Sequence, residues 1–285
     1  MTNKSRQKEQ AGDFMSLHHA KEILVLPNAW DVVSAKIFEI EGFKAIGTTS
    51  AGIAATLGYA DGQKMSLAEN LDVVRRIVDS TDVPISADIE SAYATTIEGV
   101  VQCAEAVLGA GAVGLNLEDS TGDSNFPLFN LSLQREKIAA IRELSDSKGE
   151  QLFINARTDV FLVGEDNSGA LSEAVDRGNA YREAGADCIF IPDVGNLDKQ
   201  AIQILAQEIA APINIIAGET TPAISDLQDI GVARVSVGPR PMRAVLSLLR
   251  KIATELRVSG AYELMMESSI TYSEVNRWFT PGAQE

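Results

Sequence analysis

The 285-residue sequence predicts a (β/α)8 barrel with extra helices at its C-terminus. Three observations carry this expectation. From residue 23 onward one unit recurs: a short apolar strand, a loop of small or polar residues, then an amphipathic helix, giving eight strand candidates. Four helices stop in the same way before a strand, in Glu41-Gly42-Phe43, Ala110-Gly111-Ala112, Ala184-Gly185-Ala186 and Ile230-Gly231-Val232. Glycine there supplies the left-handed residue that ends a helix. Finally, apolar strands end in charged residues: Asp88 and Glu90, Glu118 and Asp119, Arg157 and Asp159. In a parallel barrel those ends meet on one face, where active sites lie. A doubly wound open sheet is the structural rival. The count of eight, and the lack of a glycine-rich turn after Leu26, favour the barrel.

Residues 1–22 read as a polar, helical lead-in. Strands are expected to begin near Ile23, Phe43, Val83, Ala112, Gln151, Asp187, Ile213 and Arg234. Helical periodicity runs over Asp31–Glu41, Leu67–Asp79, Ile97–Leu108, Leu133–Ser145 and Leu171–Glu183, and a long last helix covers 241–259. The barrel is therefore expected over 23–259. A C-terminal helical arm follows over 260–285, with apolar patterning in Ala261–Ser268 and Ser273–Phe279. It either caps its own barrel or packs on a neighbouring subunit.

Composition narrows the function classes. Forty acidic against 24 basic residues give a formal net charge of −16, a field that repels nucleic acid and anionic membrane. An anionic substrate then needs a local arginine or a metal to hold it. No apolar run approaches the roughly 20 residues that cross a bilayer. Cys103 and Cys188 lie in unrelated segments, which fits a reducing, cytoplasmic setting without a disulfide framework.

Several constellations could carry chemistry. Asp88 and Glu90 alternate at a strand end and so share a face. With Glu118, Asp119 and Asp61 on neighbouring loops they form an oxygen-only set suited to Mg²⁺ or Mn²⁺; singly, each also reads as a helix cap or a solvated acid. The run Thr48-Thr49-Ser50-Ala51-Gly52 opens a helix after the second strand. It is either an N–H cradle for a carboxylate or phosphate, or a turn that needs small residues. Arg157 is either a bidentate grip on a substrate carboxylate or the partner of Asp159 or Glu118. The long loop Ser120–Asn130 has the length of a lid. The only histidines, His18 and His19, precede the first strand, and both cysteines read as core. Covalent catalysis by Cys or His is thus disfavoured.

These residues resemble the isocitrate lyase/phosphoenolpyruvate mutase superfamily over roughly Leu24 to Val245. The resemblance rests on an ordered set: Pro27-Asn28-Ala29-Trp30-Asp31, Thr49-Ser50-Ala51-Gly52, Leu57-Gly58-Tyr59-Ala60-Asp61-Gly62, Ala87-Asp88-Ile89-Glu90-Ser91-Ala92-Tyr93, Leu117-Glu118-Asp119, Asn155-Ala156-Arg157-Thr158-Asp159 and Gly231-Val232-Ala233-Arg234-Val235-Ser236-Val237-Gly238. It implies Mg²⁺ chemistry on small 2-oxo acids or their enols. Asp88 matches the direct metal ligand, and Asp61, Glu90 and Glu118 match acids that act through water. Ser50, Ala51 and Gly52 match the carboxylate cradle, and Arg157 the substrate-gripping arginine. It also implies a tetramer that exchanges C-terminal helices, so a homo-oligomer (tetramer or dimer) is expected.

The departures concern reaction choice. The lyases of the superfamily carry a Lys-Lys-Cys-Gly-His type motif where this chain has Ser120-Thr121-Gly122-Asp123-Ser124-Asn125. The mutases carry a Lys and an Asn-Ser pair; here there is no Lys and Ser124-Asn125 stands in reverse order. A Gly-Tyr-Gly common in the superfamily is Ala92-Tyr93-Ala94, and an aromatic before the cradle is Thr48, which implies a roomier pocket. The expectation is a Mg²⁺-dependent lyase that leaves an enolate of pyruvate by C–C or C–P cleavage. Arg157 and Glu118 would act at the reacting end, and Ser124 and Asn125 would come from the lid. The alternatives are a phosphonomutase that holds the migrating group with Ser124 or Asn125, a binding protein without turnover, and a phosphate-binding barrel using Gly218 and Gly238.

Overall fold

The computed structural model describes residues 3–125, 127–163, 169–192, 195, 197–267 and 269–280. They fall into two compact units, Met1–Gly238 and Pro239–Glu285. These divisions differ from the expected bounds at 22/23 and 259/260. The first helix packs into the barrel, and the long helix expected to close the barrel groups with the C-terminal segment.

The first unit opens with α1 (Asn3–Leu17), followed by β1 (Leu24–Leu26) and β2 (Asn28–Ala29). Pro27, which has no N–H to give a ladder, separates these two pieces of one extended run. The rest alternates: α2 (Val32–Ile40), β3 (Ile46–Thr48), α3 (Ser50–Leu57), α4 (Leu67–Ser80), β4 (Ile85–Asp88), α5 (Ile97–Gly109), β5 (Gly114–Glu118), α6 (Leu131–Lys148) and β6 (Phe153–Arg157). Then follow α7 (Val160–Val163), α8 (Ala170–Glu183), β7 (Cys188–Ile191), α9 (Lys199–Glu208), β8 (Ile213–Ile216), α10 (Ile224–Ile230) and β9 (Arg234–Ser236). Every pairing is parallel, in the order β1-β9-β8-β7-β6-β5-β4-β3-β2. Because β1 and β2 are one run, pairing with β9 on one side and β3 on the other, the sheet closes on itself as the expected barrel.

The glycine stops have the physical cause assigned to them. Gly42, Gly111, Gly185 and Gly231 adopt φ of 86°, 88°, 110° and 98°, the left-handed region that costs an L-residue with a Cβ about 1–2 kcal/mol. The main core lies between sheet and helices, with Val74, Ile77, Val107, Ile138, Ile141 and Leu205 from the helices facing Ile85, Leu115, Ile154 and Ile189.

The lead-in has a structural task. Phe14 of α1 is fully buried with Leu24, Leu26, Val113, Phe153 and Cys188, and all of these except Leu26 lie at strand beginnings. The helix therefore plugs the N-terminal end of the barrel. Gln7 Nε2 donates to the carbonyls of Leu108 and Ala112, and Gln10 Nε2 to that of Asp82, satisfying loop backbone at this end. A Cβ on Gly114 would lie 2.9 Å from the Phe14 ring, so the plug fits only over glycine there.

The second unit holds α11 (Arg240–Val258), α12 (Glu263–Met266) and α13 (Tyr272–Trp278). Val245, Leu248, Leu249 and Leu256 recur along α11 at helical spacing and are exposed, as are Tyr262, Met266 and Tyr272 beyond it. None of the described helices is long and apolar enough to cross a membrane.

Candidate active site

The acids gather at the C-terminal end of the strands, as the barrel geometry requires. Asp88 is the last residue of β4. Its Oδ2 accepts hydrogen bonds from the Ser50 N–H (3.0 Å) and the Ser50 hydroxyl (2.9 Å) at the start of α3. Its own N–H donates to Thr48 Oγ1 (2.9 Å). The turn that follows is strained: Glu90, Ala92 and Tyr93 have φ of 50°, 76° and 53° without being glycine. Neighbours hold it in place. Asn70 Nδ2 donates to the Asp88 carbonyl (2.9 Å), and the Tyr93 hydroxyl donates to Glu90 Oε1 (3.1 Å). Gln63 Nε2 donates to Ser91 Oγ (2.6 Å), which brings the 59–65 loop onto the turn.

Like charges crowd this mouth. Burial, then the neighbouring Asp88 and Asp61 carboxylates, lift the Glu90 carboxyl from 4.5 to about 7. Burial also raises the Glu118 carboxyl well above the carboxylate range; Arg157 opposes the rise, while Asp159, Asp88 and Glu90 add to it. A cation would relieve both. The donor set of Asp88, Glu90, Glu118 and Asp61 is oxygen only, which suits a hard divalent ion. Among the described residues no group of three His, Cys, Asp or Glu side chains is placed to hold a metal ion.

Arg157 ends β6 in register with Glu118 of β5, and this pairing brings them together. Arg157 Nη1 lies 2.9 Å from Glu118 Oε2, while Nε and Nη2 form a fork on Asp159 at 2.5 and 3.0 Å. The structural ion pair thus forms with both acids. Beneath it, Asp119 is wholly buried and accepts from the Asp159 N–H (2.9 Å), the Tyr181 hydroxyl (2.6 Å) and Arg177 Nη1 (3.2 Å). Asp119 therefore fixes the turn that carries Asp159, and through it Arg157. The same network roots the 120–130 loop. Arg177 Nη1 also donates to the Phe129 carbonyl, and the Lys137 ammonium lies 3.4 Å from the centre of the Phe129 ring. An antiparallel bridge between Ser120 and Leu128 closes the loop's base.

The expected site residues separate into two groups. Asp88, Glu90, Glu118 and Arg157 come together, and Asp61 lies near enough to act on Glu90 while its own Oδ1 accepts from Gly62 N–H (2.9 Å). Both Ser50 donors are directed at Asp88, and the Gly52 N–H donates to Thr49 Oγ1 (3.4 Å), so the cradle as it stands orients the acid. Ser124 and Asn125 are exposed, and Asn125 Nδ2 donates to Asp123 Oδ1 (3.2 Å) within the loop. Gly218 N–H donates to Thr221 Oγ1 and Gly238 N–H to Asn28 Oδ1, which commits the donors that a phosphate-binding barrel would need. Residue-by-residue reading does not single out Asn70, Tyr181 or Arg177, nor the hydrogen bond of Thr48 with Asp88, because these roles arise from elements distant in sequence. His18 stands at the plugged end, stacked on Phe153 at 4.0 Å and far from chemistry, as its place before β1 implies.

With this geometry described, comparison with known proteins gives the affiliation. The chain belongs to the phosphoenolpyruvate phosphomutase family, which it matches over residues 14–257, and so to the superfamily whose motifs it carries. A Mycobacterium tuberculosis protein of uncharacterised activity is 34% identical over 235 residues, covering 82% of this chain and 84% of its own. The 2-methylisocitrate lyase of Halalkalibacterium halodurans is 27% identical over 279 residues, covering 94% and 89%. A solved Burkholderia cenocepacia structure assigned as a lyase/mutase superposes with a TM-score of 0.90 at 30% identity, covering 98% and 99%. A phosphonopyruvate hydrolase solved with oxalate and Mg²⁺ shares the fold at 21% identity and a TM-score of 0.83, covering 94% of each chain.

Proposed function

We propose that the protein is a Mg²⁺-dependent lyase that cleaves a small dianionic 2-oxo acid, of the oxaloacetate or phosphonopyruvate type, toward an enol of pyruvate. The observation that carries this reading is the mouth itself. Four oxygen-only acids crowd one end of the barrel, two of them with carboxyls raised by burial and by their acidic neighbours, beside one half-buried arginine. Asp88 would hold the ion directly, with Glu90, Glu118 and Asp61 acting through its waters. When bound, Mg²⁺ supplies Lewis acidity toward the 2-oxo group. Ser50 orients Asp88 with its N–H and hydroxyl, and would turn these donors to a substrate carboxylate only on releasing that acid to the ion. Arg157 keeps its fork on Asp159 and turns Nη1 from Glu118 to the substrate's second anionic group. Loss of CO₂ asks for no nucleophile from the protein, which fits a mouth with no Cys or His among its acids.

The mutase remains the second reading, favoured by the family match; Ser124 or Asn125 would then hold the migrating group once the loop closes. The two buried thiols, Cys103 and Cys188, are free and support a reducing, cytoplasmic setting.

The test is pyruvate formation from oxaloacetate and from phosphonopyruvate, with Mg²⁺ and with chelator. Asp88→Ala should abolish turnover and Mg²⁺ binding by calorimetry while far-ultraviolet circular dichroism is unchanged. Unaltered Mg²⁺ affinity in that variant removes the metal assignment. Conversion of phosphoenolpyruvate to phosphonopyruvate without pyruvate release selects the mutase.

A further inference from the structure

The barrel interior, below the acidic mouth, carries a cation that no carboxylate of the described residues pairs with. Arg234 begins β9, in register with Asn214 of β8 and Leu24 of β1. Asn214 Oδ1 accepts from the Ser236 hydroxyl (3.2 Å), two residues along the same strand as Arg234, so all three side chains share the inner face. Arg234 is fully buried, yet Nε, Nη1 and Nη2 all lack a hydrogen-bond partner among the described residues. Asn214 Nδ2 beside it lacks one too. No carboxylate of the described residues lies within ion-pair distance. The charged or titratable groups that act on Arg234 are the Cys188 thiol and, more weakly, Asp88, whose Oδ2 is already engaged by Ser50. His18 on the plug side is held neutral by burial and by Arg234 itself, its pKa pushed down to about 3.

Removing a guanidinium from water without a counter-charge is strongly unfavourable even after relaxation. Water would satisfy the N–H groups and leave that charge unbalanced. The guanidinium has five N–H donors and no acceptor, and the neighbouring carboxamide adds two more. A group that only accepts, carries one negative charge and is small enough for an enclosed barrel meets all three conditions.

We propose that the barrel interior binds one monatomic monovalent anion of chloride size, held between the Arg234 guanidinium and the Asn214 carboxamide N–H. It is separate from the metal site at the mouth and independent of the reaction performed there. Such an ion binds the folded chain alone, so it links stability to halide concentration.

Reversible thermal unfolding of the full chain in chloride is compared with gluconate, an anion too large to enter, at constant ionic strength. The wild-type Tm should rise by about 2 °C per tenfold increase in chloride above the dissociation constant, given the unfolding entropy of a chain this long. Asn214→Asp places a carboxylate beside Arg234 and should abolish the chloride dependence, as should Arg234→Met. Crystals grown in bromide should show an anomalous peak between the two residues. If Arg234→Met does not fold, Asn214→Asp and the bromide peak decide. A wild-type Tm that is equal in chloride and gluconate, or a slope that survives in Asn214→Asp, overturns the proposal and leaves water alone in the interior.

Discussion

Glu90 should make the metal-free protein less stable as pH rises through neutrality, and Glu90→Gln should remove that loss. In the unfolded chain the carboxyl ionises near 4.5; in the fold, burial and the Asp88 and Asp61 carboxylates hold it protonated up to about 7. Between those values the native state binds the extra proton, so stability falls as pH increases. The contribution is fully present below 4.5 and lost above about 7. Each pH unit of the difference is worth about 1.4 kcal/mol. Allowing for solvent screening at an open mouth, the loss is on the order of 2 kcal/mol, or about 3 °C in Tm. Gln keeps the length of the side chain and the acceptor for the Tyr93 hydroxyl. Urea unfolding in chelator at pH 5 and pH 8 measures the effect. Glu90→Gln should match the wild type at pH 5 and exceed it at pH 8. Saturating Mg²⁺ should close the gap by restoring the wild type. A variant no more stable than wild type at pH 8 would show that the mouth acids do not burden one another, and the case for a cation there would fail.

Arg157→Lys keeps the charge and loses the fork on Asp159, so binding of oxalate or other small dianions in Mg²⁺ should weaken roughly tenfold to a hundredfold, the worth of one charge-assisted hydrogen bond. Titration calorimetry reads this, and unchanged affinity removes Arg157 from the site. Asp119→Asn leaves Arg177 only the half-exposed Glu173 carboxylate as counter-charge and should cost roughly 1–3 kcal/mol in urea unfolding; no measurable change would deny that network its structural role. The exposed Val245, Leu248, Leu249 and Leu256 on α11 are expected to pack against another copy of the chain. Sedimentation should therefore give a dimer or tetramer that Leu249→Glu dissociates, and a wild-type monomer at micromolar concentration refutes the assembly.

What the sequence makes legible is whatever one element writes by itself. β4 and β5 each announce an apolar run that ends in acid, and the helix stops at Gly42, Gly111, Gly185 and Gly231 each carry their own left-handed turn. Three of the four mouth acids, Asp88, Glu90 and Glu118, could be found this way because a parallel barrel delivers every strand end to one face without help from side chains. Features that need two distant elements were not legible. Phe14 is one aromatic in a polar segment, and only the closed barrel gives it a floor of Leu24, Val113 and Phe153 to plug. Asp119 reads as a second acid beside Glu118; strand alternation turns it outward toward α8, where Tyr181 and Arg177 complete it. Thr48 reads as the loss of an aromatic, yet its hydroxyl receives the Asp88 N–H from the neighbouring strand.

Arg157 shows how the two kinds of information combine into function. The strand pattern permits either a substrate grip or an ion pair, and the fold supplies the pair with both Glu118 and Asp159. These two partners are not equivalent. Asp159 is fixed from behind, its N–H bound by Asp119, and it accepts both arms of the fork; Glu118 takes a single contact and has its carboxyl raised by burial. Exchange of partners therefore costs least at Glu118. Under the proposed function, a substrate anion arriving at the mouth would take over Nη1 while the fork on Asp159 keeps the guanidinium plane aimed. Glu118, released from the arginine, would then be free to help Asp88 and Glu90 hold the proposed cation. On the proposed function, the ion pair and the grip would be two states of one side chain, and the buried Asp119 network would make passage between them a rotation of one contact rather than a collapse of the site.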